Sequence, residues 1–210
     1  MKVLNLGLID YRKAYETQLK TVEEVRQGQE ETLIICSHPS VVTLGKKSTS
    51  SDILGWEGPI EEIERGGKAT YHGPGQVVIY PILDLKRHNQ NLSGFLEAME
   101  KSMIDTLSFF ELSAEGNQER GKPDYTGVWV RTELGMKKIA SIGIAVKRWI
   151  TFHGLAFNLY HDPLAFSGIN PCGFSTNSMT NLETLLNKKV DRSTFENLLI
   201  ENLTSQFLPL

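Results

Sequence analysis

The 210-residue chain is predicted to be an α+β protein, with a mixed, largely antiparallel sheet and flanking helices. Three observations predict this. Helical periodicity recurs near the N-terminus, in the middle and at the C-terminus; β-rich runs fill the intervals; and the two kinds of segment do not alternate strictly, as a parallel α/β fold would require.

The order of elements follows from side-chain spacing. Residues 2–9 read as a strand, and Tyr11, Ala14, Tyr15, Gln18, Leu19, Val22 and Val25 then repeat at helical spacing until Gly28 stops them. "TLIIC" and "VVTLG" are two short strands parted by the turn-forming "SHPS". "QVVIYPILDL" is a further strand, after the glycine-rich residues 65–76. Over 92–112 a second helix is predicted, because Leu96, Met99, Met103, Ile104, Leu107 and Phe110 share one stripe. The methionines on that stripe read as core filler. "GVWV", "KIASIGIAV" and "WITFHGLAFNLY" read as three strands, the first two joined by the hairpin connection "RTELGMK". "TNLE" and "STFE" have the capping-box form, and the second leads into Phe195, Leu198, Leu199, Leu203 and Phe207.

Composition excludes several classes. A chain of this length suits one domain, here residues 1–210, and can bury roughly 70% of its unfolded surface. With 40% hydrophobic residues and no apolar run near the ~20 residues that span a bilayer, no membrane protein is expected. The N-terminus lacks the pattern of an export signal, so a cytoplasmic location is expected. The net charge of −3 and the absence of a basic run with interleaved aromatics argue against nucleic acid. The basic pairs Lys46-Lys47, Lys137-Lys138 and Lys147-Arg148 read singly as solvated turns. Two cysteines without a CxxC or Cys/His cluster offer no metal site, and the cytosol disfavours their pairing.

The stretch "RGGKATYHGPGQ" matches neither phosphate-loop pattern, and a strand follows its last glycine where a dinucleotide fold needs a helix. Four glycines, Pro74, Arg65 and His72 together predict a shaped binding wall in preference to a simple bulge. Cys36 ends an apolar run and reads as core. Cys172 lies in the turn-rich "GINPCGFSTNS" with a helix start soon after, so it is the better nucleophile candidate, with helix dipoles to favour the thiolate. A free thiol is only a few per cent ionised at pH 7 and needs activation by His72, His153, His161 or a lysine; spacing does not choose among them. Lys138 begins an apolar strand, which suits an enclosed ammonium or a snorkelling surface residue. His153 alone reads as structural, while the adjacent Gly154 marks a place where another chain or a ligand comes close.

In order and spacing, "RGGKATYHGPGQ", "TGVWV", "KIASIGIAVKRWITFHGLAFNL" and "INPCGF" resemble the lipoyl(octanoyl) transferase family. The resemblance implies an α+β domain similar to the catalytic domains of lipoate- and biotin-protein ligases, with no cofactor. It implies that Cys172 takes octanoyl from octanoyl-acyl carrier protein as a thioester and that Lys138 stabilises the thiolate and then acts as a base. By the same resemblance, Arg65, Gly66, Gly67, Lys68, Ala69, Thr70, Tyr71 and His72 would line the acyl pocket. Ser141, Ile142 and Gly143, with Gly154, Leu155 and Ala156, would complete it. The acceptors would be lysines on apo lipoyl domains of 2-oxoacid dehydrogenase complexes and on the glycine cleavage H protein. A saturated chain needs only backbone and small residues as walls, and backbone N–H groups near Cys172 would form an oxyanion hole. Phe174 departs from the smaller aliphatic residue expected after "PCG". Lys46-Lys47 and Lys147-Arg148 are the candidate face for an acidic carrier protein.

Three rival readings make different demands. An ATP-dependent ligase would use a free acid and ignore loss of Cys172; a cysteine hydrolase would need His72 or His153; a non-catalytic binding module for acylated carrier proteins would form no adduct.

Overall fold

The structure is a computed structural model that describes residues 1–117, 119 and 122–207. Among the described residues, ten strands and four α-helices follow in the order β1 (Lys2–Leu8), α1 (Tyr11–Arg26), β2 (Thr32–Ser37), β3 (Val41–Leu44), β4 (Ile60–Glu62), β5 (Thr70–His72), β6 (Gln76–Ile82), α2 (Leu92–Phe109), β7 (Ala114–Glu115), β8 (Gly127–Thr132), β9 (Gly135–Lys147), β10 (Ile150–Asn158), α3 (Leu182–Leu186) and α4 (Arg192–Phe207). The larger sheet has the order β1-β2-β6-β10-β9-β8-β7, antiparallel throughout except for the parallel pair β1–β2. A smaller sheet, β4-β3-β5, carries the second parallel pair, β3–β4. The expected α+β class with a mixed, mainly antiparallel sheet is the one observed.

Strand alternation divides the core into two layers. Leu33 and Ile35 of β2, with Val77 and Ile79 of β6, face α2 and α4. Ile34, Cys36, Val78 and Tyr80 point the other way, toward Ala14, Val22 and Val25 of α1. Both faces of β2 and β6 are therefore buried, which is why these strands read as apolar runs. Met99 and Met103 sit fully buried in the α2–α4 layer, as the stripe predicted. Cys36 is likewise core, and burial pushes its thiol up, away from ionisation.

Several boundaries differ from the sequence reading. α2 ends at Phe109, three residues short of the predicted limit, because Phe110 caps it and Glu111 turns left-handed at φ 59°. Arg148 and Trp149 form a two-residue hairpin at φ 53° and 72°, so the strand expected from Trp149 begins at Ile150. Neither capping box forms. Asn181, one residue after the predicted Thr180, accepts from Thr184 N–H at α3, and Asp191, two residues before the predicted Ser193, accepts from Thr194 N–H at α4. Of the small sheet only β3 was read, from "VVTLG"; β4 and β5 have three residues each and were missed.

One irregularity shapes the site. Pro81 lies in β6, near the middle of the large sheet, where its missing N–H would break a ladder. Opposite it, β10 pairs with β6 only from Leu155 to Asn158. Thr151 closes the gap, donating its hydroxyl to Pro81 O (2.7 Å) and accepting from Leu83 N–H (3.0 Å). Between these stretches His153 adopts φ 56° and donates its N–H to Gln18 Oε1 on α1 (2.8 Å).

Candidate active site

Cys172 is built into a short 3-10 turn, Pro171–Gly173, and takes the left-handed conformation φ 54°, ψ 21°. A non-glycine residue there is held by its surroundings. Its N–H donates to Ala69 O (2.8 Å), Gly173 N–H donates to Asn170 O (3.1 Å), and Asn170 is itself tied to Ser51 and Asp52. The thiol is half-buried, with Ser141 Oγ 3.9 Å from Sγ. Both N–H groups flanking the sulfur are thus committed, and neither serves as an oxyanion donor in this arrangement. α3 begins only at Leu182, and Asn181 takes its first-turn donor.

Arg65, Lys68 and Lys138 bring cations to the slot that Cys172 lines, and Lys138 is the most enclosed of them. It is fully buried, donates from Nζ to Asp124 O (3.0 Å), and lies 5.1 Å from the centre of the Trp129 ring and 5.7 Å from that of Phe174. Such ring faces stabilise an ammonium. The Phe at position 174 therefore has a use: with Trp129 it walls the ammonium, and Tyr125 packs against both rings. Burial pushes the Lys138 amine below its ordinary range, while the Cys172, Asp124 and Glu100 charges push it back up. Lys138 is not the snorkelling surface residue of the alternative reading.

Cys172 and Lys138 line one slot between β9, β10 and the strap of residues 65–69. Of the residues expected there, Arg65, Gly66, Gly67, Lys68, Thr70, His72, Ser141, Ile142, Gly143, Gly154, Leu155 and Ala156 also line it. Ala69 and Tyr71 do not. Ala69 supplies the carbonyl that holds Cys172, and Tyr71 alternates to the other face of β5, where its hydroxyl donates to Asp162 (2.5 Å) and bonds Ser40 (2.9 Å).

Two glycines serve neighbours in place of a ligand. A Cβ at Gly154 would stand 2.1 Å from Ile79 O, so this glycine admits strand β6. A Cβ at Gly143 would stand 3.0 Å from Arg65 Cδ, so it admits the arginine.

Sequence reading missed Tyr11, Tyr80, Asp124 and Thr126, which also line the slot, and left His153 as structural although it lines it too. Tyr11 belongs to the apolar stripe of α1, Thr126 opens the motif "TGVWV" and Asp124 lies two residues before it, so proximity to a motif was the available signal. The slot is consequently less apolar than a saturated chain alone demands. Its imidazoles carry no charge near neutrality: burial pushes His153 down to about 4 and His72 well below its ordinary value. His153 has no hydrogen-bond partner on either ring nitrogen and stacks on Tyr15 (5.5 Å, 4°). Neither His72 nor His153 bonds Cys172, and His161 lies exposed on the loop after β10. The cysteine beside a histidine is Cys36, 3.5 Å from His38 Nε2, and it is buried.

A chain of hydrogen bonds runs from His72 to the backbone of Lys138. His72 Nδ1 meets Gln76 Oε1 (3.2 Å), Gln76 Nε2 donates to Asn158 (2.9 Å), Asn158 Nδ2 donates to Thr180 O (2.9 Å), and Thr180 N–H donates to Lys138 O (3.0 Å). Of the basic pairs, Lys46-Lys47 lies beside the slot, donating its N–H groups to Arg65 O and Gly67 O (3.1 Å each). Lys147-Arg148 lies at the β9–β10 hairpin, away from the sulfur. Among the described residues no group of three His, Cys, Asp or Glu side chains is placed to hold a metal, and no helix is long and apolar enough to cross a membrane.

A thiol in a left-handed turn thus shares one slot with a buried amine. The chain belongs to the lipoyl protein ligase A/B catalytic domain family, whose description it matches over residues 10–204. Within that family it groups with acyltransferases: the octanoyltransferase of Bdellovibrio bacteriovorus is 40% identical over 90% of this chain and 91% of its own length. That of Geotalea uraniireducens is 37% identical over 100% of this chain and 96% of its own. In fold the chain is similar to an ATP-bound lipoate-protein ligase A (TM-score 0.75, 14% identity, 98% of this chain and 84% of the other). The biotin protein ligase of Aquifex aeolicus is more distant (TM-score 0.57, 11% identity, 98% and 68%).

Proposed function

We propose that this chain, as one catalytic domain over residues 1–210, moves an octanoyl group from octanoyl-acyl carrier protein through a Cys172 thioester to a lysine of an apo lipoyl domain. The names of its relatives support octanoyl as the group moved. The observation that carries the reading is the meeting of the Cys172 thiol and the buried Lys138 amine in one slot.

The proton accounting follows from that pair. Transfer of the thiol proton to Lys138 gives a thiolate and an ammonium. The thiolate attacks the carrier's thioester carbonyl, a new C–S bond forms, and the carrier's sulfur leaves and takes the ammonium proton. Acylation removes the anion that held the Lys138 proton, so burial, until then opposed, leaves a neutral amine. That amine accepts the proton of the incoming lysine as its nitrogen attacks, and the Cys172 thiolate departs against a restored ammonium. The donor arrives already activated, so no ATP is consumed.

Ile142, Leu155 and Ala156 offer the slot's apolar surface to the chain. Each buried methylene contributes roughly 0.8 kcal/mol, so shortening the chain by two weakens its hold by about fifteenfold. Lys46 and Lys47, with Lys68 over Gly173 at the mouth, form the proposed face for an acidic carrier. The acceptors are the lipoyl domains of 2-oxoacid dehydrogenase complexes and the glycine cleavage H protein. The test is octanoyl transfer from carrier protein to an apo lipoyl domain without ATP. Cys172→Ser and Lys138→Ala are expected to abolish it, whereas faster modification with octanoate plus ATP, indifferent to Cys172→Ser, would favour a ligase.

A further inference from the structure

We propose that Arg65 is a second cation for the Cys172 sulfur, a positioning residue that shares with Lys138 the task of holding the nucleophile as an anion. This rests on the reading of Cys172 as the nucleophile.

Arg65 is only 6% exposed and lines the slot with Cys172. Its donors meet neutral acceptors: Nη1 donates to Gly66 O (3.0 Å), and Nη2 donates to Thr43 O (2.8 Å) and Thr43 Oγ1 (2.9 Å). Nε is buried with no partner, and among the described residues no carboxylate forms an ion pair with this guanidinium. A buried guanidinium without an anion is unfavourable unless the site supplies one. The fold nonetheless makes room for it, since a Cβ at Gly45 or at Gly143 would press on the side chain at 2.8 and 3.0 Å.

The slot's other groups do not supply that anion. Asp124 and Glu100 act on Lys138, and Glu64 accepts from Tyr15 O–H (2.6 Å). Burial keeps the Tyr11 and Tyr80 phenols protonated and the His72 and His153 rings neutral. Burial also lowers the proton affinity of Arg65, and the Cys172 charge is the foremost influence opposing that. The two cations divide the work by chemistry. Lys138 can give up its proton; a guanidinium stays charged, so it stabilises the anion without entering the proton relay.

The experiment follows alkylation of Cys172 by iodoacetamide in the whole protein, read by peptide mass spectrometry at a series of pH values. Arg65→Met is expected to slow the reaction about tenfold at pH 7, the effect of one pKa unit, and to move the rate profile to higher pH. Arg65→Lys is expected to stay within about threefold of wild type. Should Arg65→Met not fold, thermal midpoints of Cys172→Asp and Cys172→Ser, each in a Lys138→Met background, decide: a fixed carboxylate facing Arg65 should raise the midpoint above the serine variant, and an equal or lower midpoint would overturn the proposal. An unchanged alkylation profile in folded Arg65→Met also overturns it, even while octanoyl still loads onto Cys172. Failure of that loading in wild type would sink the underlying reading instead.

Discussion

Gly154→Ala tests what the strand glycine is for. Gly154 lines the slot by its backbone, yet the Cβ of an alanine would point into β6, 2.1 Å from Ile79 O and 2.8 Å from Pro81 Cδ. Ordinary contact begins near 3.4 Å, so β6 must retreat by more than 1 Å at the place where Pro81 has already interrupted its ladder. Overpacking of this kind costs about 1–3 kcal/mol, which at ~2–4 °C per kcal/mol for a chain of this size lowers the melting temperature by roughly 2–12 °C. Circular dichroism melts would measure it, with Gly66→Ala as the control, because a Cβ there meets nothing nearer than 3.7 Å. Wild-type melting of Gly154→Ala, with only a new preference for shorter acyl chains, would refute the reasoning and return the glycine to a ligand-facing role.

Two further outcomes are expected. Tyr71→Phe removes a hydroxyl shared by Asp162 and Ser40 on the far side of β5; it should cost about 1–3 kcal/mol in urea unfolding while leaving acyl-chain preference unchanged. A shifted preference would place Tyr71 on the acyl wall after all. His153 has its pKa near 4 in the folded chain against about 6.5 unfolded, so below pH 6.5 the unfolded state binds a proton that the folded state refuses. Stability therefore falls as pH drops from about 6.5 to 4, by up to about 3 kcal/mol from this residue. In His153→Asn, which tolerates a left-handed backbone, unfolding free energies at pH 7 and 4.5 should differ less than in wild type. Parallel losses in the two proteins would contradict this.

Much of the fold was legible because its helices and long strands have clear periods. Ala14, Gln18, Val22 and Val25 announce α1 by spacing alone, and they are among the residues it buries. In the small sheet β3 was readable from "VVTLG", but β4 and β5 left no such trace. Three residues of β5 inside a glycine-rich stretch show no period, and without β5 nothing separates Tyr71 from His72, although alternation sends them to opposite faces. At the site, the turn chemistry of "INPCGF" was readable, whereas the enclosure of Lys138 depends on Trp129 and Phe174 arriving from distant parts of the chain. Arg65 could be placed on the binding wall, but not its want of a carboxylate partner, which is a property of the packed whole.

The most direct measurement is the intact mass of the protein after mixing with octanoyl-acyl carrier protein and no acceptor. The account predicts a gain of one octanoyl group, mapped to Cys172, absent in Cys172→Ser and strongly slowed in Lys138→Ala. An adduct on Cys36, or a wild-type mass unchanged under conditions that support turnover, would contradict it.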